Sequence, residues 1–219
     1  MTVGDHRVEF LGPPASGKGT AAMALSAALQ VPHVSTGQMF RAAIRKGGPL
    51  GDAAKQFIDK GQLVPDSITL AVVRLSLDEP RLAGGFIFDG FPRTRMQAEA
   101  FEAELMDRGT RLTAAILLDV NEANIRERVL GRLSCEKCGA LYHKRFVRPR
   151  RSGICDRCGS RLTQRADDTL DTVQERLEVY RQVTLDAVAH YEGAGLLKRV
   201  DGGQSKDKVF ADIVGLLQS

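Results

Sequence analysis

The chain has 219 residues, 43% hydrophobic and 26% charged, with a formal net charge of +4 and a pI near 9.0. These values suit one large domain or a core with inserted lobes, and they exclude a disordered chain. No apolar run approaches the roughly 18 residues that span a bilayer, and residues 1–6 lack the basic-then-apolar layout of a secretory signal. A soluble, cytoplasmic protein is expected, with its four cysteines serving as metal ligands or thiols rather than disulfides. The basic balance suits anionic ligands without choosing between nucleotides and nucleic acid.

Taken in chain order, an apolar strand over 8–11 runs into Gly12-Pro13-Pro14-Ala15-Ser16-Gly17-Lys18-Gly19-Thr20, which opens a helix over 18–30. A glycine-bounded turn between strand and helix directs backbone N–H groups and the positive helix end at an anion, and Lys18 can neutralise a phosphate oxygen. The spacing Gly-x4-Gly-Lys is that of a phosphate loop, except that Gly19 stands where Ser or Thr is common and the hydroxyl follows at Thr20. A nucleoside triphosphate is the expected ligand. Further strands are expected over 33–35, 85–89, 114–119 and 196–201, and helices over 37–46, 51–60, 66–78, 94–108, 121–130, 169–192 and 205–217. Strands alternating with helices imply a parallel sheet covered on both faces.

Two segments break this alternation. Residues 35–64 hold two short helices joined through Gly47-Gly48-Pro49-Leu50-Gly51 and read as a small helical lobe. Residues 131–168 read as an insertion carrying Cys135-x2-Cys138 and Cys155-x2-Cys158, with 16 residues between the pairs and a glycine after each. Four thiolates at this spacing fill a tetrahedral zinc site and leave no position for water, so the metal is expected to be structural. Iron fits the same thiolates, and a redox pair or a nucleic-acid-binding zinc ribbon are the rival readings.

Asp89 ends an apolar strand beside the phosphate loop, a place where a carboxylate meets Mg2+ or its waters; a turn aspartate is the alternative. Arg93 follows at the carboxyl edge of the sheet, where ligands of such sheets bind. Arg128 and Arg132 precede the insertion, and Arg165 and Arg176 follow it, with Asp167 and Asp168 between. Several placed cations are what phosphoryl transfer requires, although arginines on a helix surface would show the same spacing. The histidines carry no assigned chemistry.

Together these residues resemble a bacterial adenylate kinase of the long-lid, zinc-bearing type, over nearly the whole chain. The marks are residues 12–20, Ser35-Thr36-Gly37-x-Met39-x-Arg41, Gly61-x-Leu63-Val64-Pro65-Asp66, Asp89-Gly90-Phe91-Pro92-Arg93-Thr94 with Gln97, Gly131-Arg132, Tyr142-His143, Arg165-x-Asp167-Asp168, Arg176 and Val200-Asp201-Gly202. The resemblance implies an α/β fold: a nucleoside-monophosphate kinase core with a five-stranded parallel sheet (1–34, 65–130, 169–219), a monophosphate-binding lobe (35–64) and a zinc-binding lid (131–168). It implies that Thr36, Arg41, Gln62, Leu63, Val64, Gly90, Phe91, Pro92, Arg93, Gln97, Arg165 and Arg176 hold AMP, with Gln97 at the adenine edge. On the ATP side it implies Ala15, Ser16, Gly17, Lys18, Gly19, Thr20, Arg128, Arg132, Leu141, Tyr142 and Gln204. Lys18, Arg93, Arg132, Arg165 and Arg176 would stabilise the transferring group.

The implied reaction is MgATP plus AMP giving two ADP, in a monomer with one zinc per chain and no nucleic-acid or membrane partner. Ala15 departs from the family's usual glycine, Gln38 from a frequent aspartate, and Gln204 from a commonly basic residue, so that only a backbone contact to the adenine is expected near Gln204. A kinase of the same fold acting on another monophosphate, or a zinc-ribbon ATPase that binds nucleic acid, are the alternatives. The 38 residues of 131–168 disfavour the short-lidded pyrimidine kinases, and Tyr142 and Phe146 are the sparse aromatics for base stacking.

Overall fold

The computed structural model describes residues 6–218; residues 1–5, part of the segment read for a signal, and residue 219 lie outside it. Five strands form the main sheet: β1 (Arg7–Leu11), β2 (His33–Ser35), β3 (Phe86–Asp89), β4 (Ala114–Asp119) and, last in the chain, β8 (Leu197–Asp201). Their order is β2-β3-β1-β4-β8 and every pairing is parallel. The order turns back at β1, so the crevice between the connections leaving β1 and its neighbours opens at the carboxyl end of that strand. The phosphate loop lies there.

Burial on both faces explains why the strands read as continuous apolar runs rather than alternating ones. One face packs Leu11, Phe86, Phe88, Phe91, Phe101, Leu105, Val188 and Tyr191, with the rings of Phe88 and Phe101 edge to face at 5.4 Å. The other packs Val8, Phe10, Leu25, Ile87, Ile116, Leu118 and Ile213. Helices α1 (Lys18–Leu29), α4 (Asp66–Leu77), α5 (Arg95–Asp107), α6 (Glu122–Leu130) and α9 (Lys206–Gln218) cover the sheet or flank its ends. Thr94 and Asn121 cap α5 and α6, and Thr169 caps α7 (Leu170–Val179), each side chain accepting from the N–H three residues on.

The helix expected over 169–192 is one helical run with a π-helical turn in its middle: α7, the turn Tyr180–Thr184, then α8 (Leu185–Gly193). Periodicity alone cannot register the one extra residue such a turn accommodates. Val179, Tyr180 and Thr184 face the cavity described below.

The 35–64 segment forms α2 (Thr36–Lys46) and α3 (Pro49–Ile58), packed as a pair around Phe40 and Ala54 against Val64 and Val72. Gly51 permits this approach, because a Cβ there would strike the carbonyl of Ala43. The 131–168 segment is more ordered than its sequence suggests. It holds a three-stranded antiparallel sheet, β6 (Leu141–His143), β5 (Arg132–Cys135) and β7 (Leu162–Thr163), in the order β6-β5-β7. Strands this short, paired across long separations, leave no periodic signal to read. No helix among the described residues is long and apolar enough to cross a membrane.

Candidate functional site

One cavity of about 1150 Å3 runs from the phosphate loop to the α2–α3 lobe. At its first end, β1 stops at Leu11 and the loop turns through Gly12 (φ 136°), Ala15 (φ 56°) and Gly17 (φ 105°) before α1 begins. Ala15 thus takes the left-handed conformation that glycine adopts freely. Lys18 Nζ folds back to donate to the carbonyls of Gly12 (2.8 Å) and Pro13 (2.7 Å), lying in the hollow of the loop. Burial pushes this amine down to about 8; Asp89 opposes the shift, whereas Arg93 and Arg132 add to it. The glycine at 19 also has a steric reason. A Cβ would lie 3.1 Å from Asp89 Oδ2 and 3.0 Å from Leu141 Cδ1, so a Ser or Thr would crowd both the carboxylate and the strand above it.

Asp89 ends β3 facing the loop. Burial alone would raise its pKa, but His33, Lys18 and Arg93 together bring the carboxylate below its usual range, so it is ionised. Ser35 Oγ donates to it at 3.3 Å. Five arginines converge on the middle of the cavity. Arg93 Nε donates to the Gly90 carbonyl at 2.8 Å, lying against a glycine that has no side chain to displace it. Arg132 makes a two-pronged pair with Asp168, and Arg176 pairs with Asp167.

Burial, with neighbouring guanidiniums adding, pushes Arg41 down to about 10 and Arg165 down to about 9, while aspartates 167 and, at Arg165, 168 oppose. Five guanidiniums and Lys18 are answered by Asp89, Asp167 and Asp168 alone among the groups named, so the centre of the cavity is a cation cluster suited to polyanions. Arg128 sits to one side, donating to the carbonyls of Ser16 (3.1 Å) and Gly202 (2.8 Å) and so tying the loop to the end of β8.

At the far end, Thr36, Arg41, Gln62, Leu63, Val64, Gly90, Pro92 and Gln97 line the wall. Thr36 Oγ1 donates to the Gly90 carbonyl at 2.9 Å. Gln97 is 2% exposed, and its Oε1 accepts from Arg93 N at 2.8 Å. Phe91, expected on this wall, has its ring in the aromatic core instead, 5.1 Å from Phe101. Tyr142 and Gln204 reach the loop end with their polar atoms turned away: the Tyr142 hydroxyl accepts from Asp156 N, and the Gln204 amide donates to Asp201 O and Asp212. Sequence reasoning missed Glu9 and the cavity-facing π-turn, and it gave Asp66 no role beyond its place in the Gly61-to-Asp66 motif and at a helix start.

The cysteine lobe is built as two matching knuckles. Gly139 N donates to Cys135 O and Gly159 N to Cys155 O, both at 2.9 Å, and the two glycines have φ of 72° and 71°. The four Sγ atoms lie within 4.8 Å of one another, with Cys135–Cys158 at 3.4 Å and Cys138–Cys155 at 3.5 Å. Thiolates on a tetrahedral zinc at ~2.3 Å stand about 3.8 Å apart, so this donor set fits such an ion. The lobe lies over both ends of the cavity: Leu141 is above Gly19, and Gln38 of α2 donates to Gly139 O at 3.5 Å. His143 is structural, its Nδ1 accepting from Arg145 N and Phe146 N at 3.0 and 3.1 Å beside Gly131.

Residues 10–196 match the family described as Adenylate kinase. The chain is 46% identical to an adenylate kinase of Clostridium tetani over 208 residues, which is 95% of this chain and 96% of that one. The chain belongs to the adenylate kinase family. An adenylate kinase of Moorella thermoacetica is 48% identical over 199 residues (91% and 92% of the two chains), and one of Carboxydothermus hydrogenoformans 46% identical over 209 residues (95% and 98%). Adenylate kinases are nucleoside-monophosphate kinases that use Mg2+ with ATP and take ATP, AMP and ADP as substrates. The parallel five-stranded sheet flanked by helices is the adenylate kinase fold expected from the motifs.

Proposed function

We propose that this adenylate kinase transfers the terminal phosphoryl group of MgATP to AMP, reversibly and without a covalent enzyme intermediate, through the residues that line the elongated cavity. The observation that carries this reading is the arrangement of that cavity. A phosphate loop stands at one end, an apolar and amide-bearing wall at the other, and five arginines lie between them. Its ~1150 Å3 exceeds the roughly 300–1,000 Å3 of ordinary small-molecule sites, as two nucleotides end to end require.

In this reading the loop amides of residues 15–20 and Lys18 hold the donor phosphates, with Arg128, Leu141, Tyr142 and the backbone near Gln204 along the donor nucleoside. Arg41 and Arg93 take the acceptor phosphate, and Thr36, residues 62–64 and Gln97 its base. Arg132, Arg165 and Arg176 lie where charge spreads over the transferring oxygens. The ionised Asp89 would hold Mg2+ or its waters, with Thr20 the loop hydroxyl assigned to the same side, and the ion would supply charge neutralisation for the phosphates there. Covering the site from both sides excludes water, which would otherwise accept the phosphoryl group.

We also propose zinc, one per chain, as the structural metal of Cys135, Cys138, Cys155 and Cys158. We propose further a monomer in the cytoplasm, without nucleic-acid or membrane partners; the four free cysteines, placed as metal ligands rather than disulfides, support the reducing compartment.

The test is ADP formation from MgATP against AMP, GMP, CMP and UMP, for wild type, Lys18→Ala and Arg93→Ala. AMP is expected to be preferred, and either substitution to lower kcat by about 10²–10³ while the circular dichroism spectrum is retained. Equal use of all four acceptors, or undiminished turnover in both variants, would sink the assignment.

A further inference from the structure

We infer that Asp66 sets the acceptor preference by fixing which way round the amide of Gln97 is held; this rests on the reading of Gln97 as the group that meets the acceptor base. A glutamine amide carries a donor and an acceptor that exchange places when the group turns end for end. Adenine presents an N6 donor beside the N1 acceptor, whereas a 6-oxopurine presents an O6 acceptor beside an N1–H donor. A freely turning amide would serve either base.

In this protein the amide is pinned. The main-chain N–H of Arg93 can only donate, and it reaches Gln97 Oε1 at 2.8 Å. The Asp66 carboxylate can only accept, and its Oδ1 takes an Nε2 hydrogen at 2.6 Å. Only one orientation satisfies both neighbours. Turning the amide would set N–H against N–H and oxygen against carboxylate in a site that is 2% exposed, leaving buried groups unpaired.

Asp66 is itself held. Its Oδ2 accepts from the Thr94 hydroxyl at 2.8 Å, and Thr94 Oγ1 accepts from Gln97 N at 3.1 Å, closing a ring of bonds at the start of α5. What Gln97 has left for a ligand is one N–H and one oxygen lone pair side by side, the complement of N1 and N6 of adenine. Gln97 lines the cavity and Asp66 does not, so Asp66 is a positioning residue.

The experiment compares kcat/KM for AMP and for inosine monophosphate, which has the 6-oxopurine edge without the extra amino group of guanine. In Asp66→Asn, whose side chain can donate or accept, the preference for AMP should fall about tenfold or more, with the inosine substrate improving as AMP worsens. A role confined to capping α5 predicts that both substrates fall together or neither changes, and an unchanged ratio overturns the inference. Gln97→Ala separates the two layers. A ratio that falls there but holds in Asp66→Asn removes Asp66 and keeps Gln97 as the base reader, while a ratio that holds in both removes the reading of Gln97 as well. Should Asp66→Asn fail to fold, Asp66→Ser supports the same comparison.

Discussion

Glu9 stands at the middle of the central strand, with Phe88 and Ala115 beside it in register, and it is 0% exposed. The buried Tyr191 hydroxyl is the polar group beside its carboxyl. Burial pushes this carboxyl well above its usual range; Tyr191 offsets part of the rise and Glu102 adds to it. The native chain therefore holds the Glu9 proton more tightly than the unfolded chain does. The associated stability is complete below the unfolded value near 4.5 and is lost as pH rises through the folded one.

One proton corresponds to about 1.4 kcal/mol per pH unit within that window. At ~2.1 cal/mol/K per residue, unfolding a chain of this length releases about 0.46 kcal/mol/K, so the slope amounts to roughly 3 °C per pH unit. Glu9→Gln keeps the shape and removes the proton. Thermal midpoints of wild type and variant, followed by scanning calorimetry from pH 4.5 upward, should diverge by about 3 °C per unit in the variant's favour until the folded pKa is passed. Parallel curves would refute the reasoning, because other groups titrate identically in both proteins.

Two further outcomes follow from the same structure. With the Lys18 amine pushed down to about 8 by burial, its charge is partly lost in the free enzyme at pH 8.5, and a bound triphosphate should restore it. Calorimetric binding enthalpies in buffers of different ionisation enthalpy should then show proton uptake, with affinity declining as pH rises above about 8; the same uptake in Lys18→Met would disprove this origin. Chelation of the metal, or Cys135→Ser, should lower the thermal midpoint by more than it lowers turnover at 25 °C, since the knuckles have only a small cluster of apolar residues to support them. An unchanged midpoint after metal loss, verified by elemental analysis, would contradict that.

The features legible in the sequence were those whose chemistry is local. Gly12 to Thr20 spells its turn, the apolar blocks spell the buried strands, and each Cys-x2-Cys-Gly spells a knuckle. The features that escaped depend on partners far apart in the chain. Asp66 meets Thr94 and Gln97 only after α4 and α5 pack, and in the sequence it shows as a motif residue at a helix start with no partner named. Phe91 sits inside a run of expected ligand residues, yet its ring joins Phe86, Phe88 and Phe101 in the core because the chain turns at Gly90 (φ 78°) once β3 has ended at Asp89. Glu9 hid within an otherwise apolar strand. The lid strands were too short to show a period.

Ala15 holds a left-handed backbone that costs an alanine roughly 1–2 kcal/mol. Its methyl packs on the cluster of Val120, Ile125, Val129, Val173 and Leu177, contributed by α6 and α7 and the strand end before them. Those two helices are the stems from which the cysteine-bearing lobe springs. The phosphate loop is thus packed sideways against the two helices that flank that lobe, an apolar tie beside the one that Arg128 makes to Ser16 O.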